Sequence, residues 1–234
     1  MKEIITLLLS FFILTSCNQS KNVTEKKSID YSNKTVLDSL IKTTSESKDT
    51  LFLGFTLGMS KTDFKKHIEQ TRKDGKTITF SNSNRYSSIA GAFDLGAGYT
   101  FETSISAEVS GKTITGIGKY FIEPIYNKNG VLSQLNILPT EDWNNESYSI
   151  DKPNWLKDKV QEKYEELADE DLKKALVDNE IISEYNTVWR KGNLLIYETG
   201  MTVNYIDLKT LFVEFLVKEL EKEIIKKENK DVKI

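Results

Sequence analysis

Cysteine and histidine each occur once in the 234 residues, as Cys17 and His67, and proline occurs three times. Without a second cysteine no intrachain disulfide can form, so the fold rests on packing alone. A single thiol and a single imidazole cannot build a zinc site from cysteine and histidine. Any Ser-His-Asp arrangement would likewise depend on His67, which stands beside the apolar positions Phe64 and Ile68 and reads as a histidine at the margin of a buried face. An excess of one charge is also missing: 32 Lys and Arg balance 35 Asp and Glu, interspersed, for a net charge of -3. That leaves no clustered basic face for nucleic acid. Neither Gly-x-Gly-x-x-Gly nor Gly-Lys-Ser/Thr occurs, and the glycine-rich residues 90–98 lead into strand-like sequence, so they read as a loop or bulge. The acidic residues 165–171 lack the glycine-turned oxygen spacing of a calcium loop and read as a solvated helix face. The inventory therefore predicts no cofactor, no metal and no catalytic residue, with paired carboxylates the one enzyme chemistry that composition leaves open.

Long hydrophobic runs are scarce too. The most prominent, residues 4–14, follows Met1-Lys2 and ends in small residues before Cys17, which is the layout of a secretory signal peptide. It falls short of the roughly 20 apolar residues of a membrane-spanning helix. The four residues Leu14-Thr15-Ser16-Cys17 resemble the lipobox of the bacterial lipoprotein class. That resemblance implies cleavage after residue 16, a diacylglyceryl group on the Cys17 thiol with palmitate added, and attachment to a membrane through that lipid. Asn18 rather than Asp follows the cysteine, and by the sorting rule of the class this implies the outer membrane, facing periplasm or exterior. Two other readings of Cys17, a buried thiol or an incidental residue in an ordinary cleaved signal, would leave an unpaired thiol open to oxidation in a polar setting.

Behind the lipidated cysteine, residues 17–48 are rich in Ser, Thr, Asn and Lys and read as a flexible tether with a reach of roughly 30 Å. Within it Val36, Leu37, Leu40 and Ile41 have helical spacing and predict a short helix docked on the chain's own domain. The globular region is 49–234, in two units, about 51–138 and 151–228. In the first, Ser60 and Asp63 form a reciprocal helix cap, Met59 and Phe64 a hydrophobic staple, and Gly75 an exit. Alternation then predicts strands at 77–80, 99–109, 112–126 and 131–138, with 82–88 turn-like. Residues 139–150 read as a loop that carries Trp143, the surface candidate among the three tryptophans. In the second unit one uninterrupted helix is predicted from Leu156 through Leu167 to Leu176. Strands at 185–190, 194–199 and 202–206 follow, and Asp207 caps a closing helix whose buried stripe runs from Leu208 through Leu216 to Leu220 and Ile224.

The fold class predicted is α+β, with helices packed on one face of an antiparallel sheet in two helix-plus-meander units. The residues Leu57-Gly58-Met59-Ser60 and the helix-then-hairpin order look like the small exported domains of the SmpA/OmlA lipoprotein family, and the doubled arrangement is similar to the β-lactamase inhibitor protein family. The binding residues of those families have no matching positions here, and the disulfides of the latter are absent. The functional expectation is a lipid-anchored cell-envelope protein with a non-catalytic binding or scaffolding role towards another envelope protein, Trp143 being a natural anchor. The alternatives are an inhibitor or immunity lipoprotein and a small-ligand or glycan binder.

Overall fold

The computed structural model describes residues 28–81, 85–88, 91–94, 97–109, 111–140 and 152–231. Residues 28–48 belong to the folded body, although composition assigned them to the tether. Ser28 Oγ and the Ile29 N–H both donate to the carboxylate of Asp171, at 3.1 and 2.9 Å. Helix α1 (Lys34–Thr43) starts where the Asn33 side chain accepts from the N–H groups of Thr35 and Val36. Its Leu37 is completely buried, so the expected docking on the chain's own domain is observed. A polar composition concealed an asparagine cap and one narrow apolar face.

Residues 51–60 are held by local hydrogen bonds and by the sheet. A 3-10 turn at Phe52–Gly54 precedes Leu57, and the Gly58 N–H donates to Leu132 O while the Leu132 N–H donates to Met59 O. Helix α2 (Lys61–Lys73) then opens on the predicted cap: the Asp63 N–H donates to Ser60 Oγ at 3.1 Å, and Ser60 Oγ donates to the Asp63 carboxylate at 2.7 Å. Strand β1 (Thr77–Ser81) follows. Residues expected as turn and loop form instead a separate two-stranded ribbon, β2 (Arg85–Ser88) and β3 (Gly91–Asp94), registered Tyr86↔Phe93. The strand propensity of these aromatics outweighs the local glycine content. A meander of β4 (Gly98–Val109), β5 (Lys112–Tyr126) and β6 (Leu132–Pro139) completes the first unit.

The second unit corrects the expectation of one continuous helix. Helix α3 (Lys152–Gln161) closes where the N–H groups of Lys163 and Tyr164 both donate to Val160 O. Glu165 and Glu166 then form strand β7 against Arg190 and Trp189, and Asp169 starts a new helix, α4 (Glu170–Asp178), by accepting from the Leu172 N–H. No glycine or proline is needed, because strand pairing and a fresh cap together outcompete helix propagation. The unit ends with β8 (Val188–Lys191), β9 (Leu194–Thr199), β10 (Thr202–Asp207) and the long helix α5 (Leu208–Asp231).

The protein is thus α+β, its helices packed on one antiparallel eight-stranded sheet of order β1-β4-β5-β6-β10-β9-β8-β7. Each meander runs from an edge towards the middle, and the two meet there by their last strands, registered Ile137↔Val203 and Leu135↔Tyr205. The helices cover both faces rather than one. On the first face α2, α3 and residues 51–57 bury Phe64, Ile68, Phe101, Tyr120, Trp189, Ile196 and Tyr205 in a single core that crosses the seam. On the second, α1, α4 and α5 cover β8 to β10 and bury Val188, Leu195, Tyr197 and Ile206, the alternate residues of the same strands. In the first unit the second face carries Phe121, whose ring lies over Gly98; a Cβ there would stand 2.5 Å from both Ile122 O and Phe121 Cζ. Leu37→Ala is expected to destabilise the whole protein by about 2–5 kcal/mol in urea unfolding, whereas an unchanged midpoint would return residues 28–48 to the tether.

Candidate functional site

Asp207 organises the end of β10 and the start of α5. Its Oδ1 accepts from the N–H groups of Lys209 and Thr210, at 2.9 and 3.2 Å, and its Oδ2 accepts from the Ser47 N–H. Burial nonetheless raises its pKa above the usual carboxylate value, opposed by those three donors and assisted by Glu46. With three backbone partners the carboxylate caps α5, as predicted, and fastens residues 44–49 against that helix.

Beside this junction lies a cleft of about 470 Å³ between α1, the turn at 127–130, the start of β6 and the first turn of α5. Ile41, Leu57, Val131, Leu132 and Val213 wall it, with Glu46, Lys128 and Lys209 also on its lining. From Val213 an apolar line continues along the outside of α5: Val213, Val217, Leu220 and Ile224 are 42, 47, 43 and 55 % exposed. Steps of four, three and four residues put these side chains in one row nearly opposite Leu208, Leu211, Phe212 and Phe215, which are buried against the sheet. The helix is therefore apolar on two sides. Leu216 and Glu223 border the row on the side of α1, where Lys34 holds Glu223 at 2.7 Å. Glu214 and Glu221 border it on the other.

This corrects the predicted buried stripe, which included Leu220 and Ile224. The sequence carried the needed sign: at 100° per residue Leu220 and Ile224 align with Val213 and Val217, not with Phe212 and Phe215.

A second cleft, about 720 Å³, opens at the β7–β8 edge among Lys163, Glu165, Glu166, Asp169, Arg190 and Lys191. Its charges partly satisfy one another, Arg190 lying 3.8 Å from Asp169 and Lys191 3.6 Å from Asp49. The acidic residues 165–171 are thus divided between an edge strand, a helix cap and the anchor of Ser28 and Ile29. Among the described residues no group of three or more His, Cys, Asp or Glu side chains is placed to hold a metal ion. His67 sits at the margin of the first core as expected, its Nε2 donating to Leu53 O at 2.8 Å and its ring edge-on to Phe55. Of the tryptophans, Trp189 is buried and Trp155 lies against Tyr120 at 5.3 Å. Cys17 and Trp143, the two site residues predicted from sequence, lie outside the described residues. No helix among the described residues is long and apolar enough to cross a membrane.

Comparison with protein-family models, curated proteins and solved structures finds no match to this chain.

Burial raises the pKa of Glu214 above the ordinary glutamate value, with Lys218 pulling the other way. A carboxylate whose pKa is higher folded than unfolded binds protons on folding, so its contribution is most favourable at low pH and is lost as pH rises through the folded value. Glu214→Gln is expected to flatten the fall in urea-unfolding stability that begins above the ordinary glutamate pKa, without lowering stability at neutral pH. An unaltered pH profile would contradict the burial argument.

Proposed function

We propose that this chain is a lipid-anchored cell-envelope protein that binds or scaffolds another envelope protein and performs no catalysis. The observation that carries the binding role is the apolar row on α5: a helix that has already buried one side against the sheet presents a second, continuous with an apolar cleft. Rows of this kind on soluble helices mark contact surfaces. The envelope address rests on the resemblance of residues 14–17 to a lipobox, and the membrane is reached through a diacylglyceryl group on Cys17. Ser28 is eleven positions after Cys17, so the two can be at most about 40 Å apart at 3.3–3.6 Å per residue. That is a shorter leash than a tether ending at residue 48.

A second reading, a small-ligand binder, is favoured by the cleft itself, which combines apolar walls with polar and charged groups at its rim such as Glu46, Lys128 and Lys209. It predicts a rise in melting temperature with one class of compound from a ligand library.

Cross-linking the native protein in its own cells, followed by mass spectrometry, tests the main reading, with Cys17→Ser as the control. The substitution is expected to abolish acyl labelling, release the protein from the membrane and remove the cross-linked partner. A dominant envelope partner recovered with the native chain supports a binding role. Persistent labelling of the substituted protein would refute the anchor, and recovery of nothing above the control would refute the partner.

A further inference from the structure

We infer that the outer row of α5 seats an amphipathic helix of a partner protein, one whose apolar seam is bordered by lysine or arginine. The inference rests on the binding role proposed above and specifies its site and the chemistry of its occupant. Val213, Val217, Leu220 and Ile224 follow the 4-3-4 spacing by which helices pack side by side, each side chain entering a gap on the facing helix. The row is about 16 Å long at 1.5 Å per residue. Lys227, the next position in the same series, ends it with a charge.

The border of the row selects the occupant. On one side stand Glu221, exposed, and seven residues before it Glu214, half-buried with Lys218 near it; on the other side Glu223 is taken up by Lys34, and Lys209 stands at the start of the helix. A second copy of this chain fits poorly. An antiparallel pairing that sets Val213 against Ile224 and Val217 against Leu220 also sets Glu214 against Glu221, twice by symmetry. A parallel pairing sets Lys209 against Glu214 but brings Leu216 against Glu221, so only one of the two acids gains a basic partner. Anionic lipid is disfavoured by the same acids, and the row has none of the Trp or Phe that interfacial helices place at a headgroup boundary. A helix with a basic border pairs with Glu214 and Glu221 while covering the row, so attraction and burial act together.

Four half-exposed side chains make a contact at the small end of the specific range, suited to a transient complex. Confinement to one membrane would compensate, because anchoring both partners raises their effective concentration without any new contact.

The test uses two synthetic helical peptides that share a leucine seam. One carries lysine and arginine along its borders and the other glutamate. Fluorescence anisotropy then follows each against the full chain. Saturable binding is expected for the basic-bordered peptide, with the acidic twin at least tenfold weaker. Leu220→Asp should weaken the basic peptide at least tenfold although it adds negative charge, which separates the seam from simple attraction. Glu221→Lys should weaken the basic peptide and strengthen the acidic one. Tyr185→Ser, at a residue that is 94 % exposed and outside the row, should change neither. An unchanged thermal midpoint verifies that each variant is folded. Equal binding of the two peptides, indifference to Leu220→Asp, or a native dimer in sedimentation that Leu220→Asp dissolves would each overturn the inference. So would failure of both peptides to bind; if cross-linking in cells still recovers a partner, this inference falls alone and the binding role stands.

Discussion

The pairing of β6 with β10 is the constraint on which the rest depends. Each unit by itself would be a four-stranded sheet with two open edges. Joined through Leu135↔Tyr205 and Ile137↔Val203, they become one eight-stranded sheet, and the seam lies in the interior. The core confirms that this is more than contact between neighbours. Phe64 and Phe101 from the first unit share a continuous apolar cluster with Val160, Trp189 and Tyr205 from the second, and the Trp155 ring of α3 lies on Tyr120 of β5. Sharing one core also relieves each unit of the size limit that makes small domains marginal.

From that seam the placement of α5 follows. Strand β10 is central, and the helix that leaves it at Asp207 turns back over β8 to β10 on the second face. Asp207 caps it, Ser47 joins the cap, and α1 is drawn in beside it through Leu37 and the Lys34–Glu223 pair. A helix in this position buries one side against the sheet and exposes the opposite one. Ser28 and Ile29 are pinned to Asp171 of α4 on the same face.

Much of this was legible in the residues. The Ser60 cap, the strand at 194–199 and the cap at Asp207 are local events, settled by neighbours within four positions, and they were readable for that reason. The α1 helix was readable from its spacing even inside a polar segment. What could not be read locally was how far elements reach across the chain. The break after Gln161 depends on β7 finding Arg190 and Trp189, and the ribbon at β2 and β3 depends on its own pairing. The two-sided cover of the second unit did leave a trace: Leu194-Leu195-Ile196-Tyr197 is apolar at consecutive positions, as in strands buried on both faces, where a one-sided sheet would alternate. For the site, the row on α5 was present in the sequence but merged with the buried stripe, because both are apolar and only their angular positions separate them. The two residues singled out for function, Cys17 and Trp143, owe that choice to a resemblance to a processing motif and to a polar setting, and both lie outside the described residues.

Native-state hydrogen exchange across the sheet, followed in increasing urea, tests the shared core most directly. If β6 and β10 unite the two units, the slowest amides of β4 to β6 and of β8 to β10 will open with the same free energy and the same urea dependence, as one cooperative body. Two groups of amides opening with different free energies, one in each unit, would contradict the account.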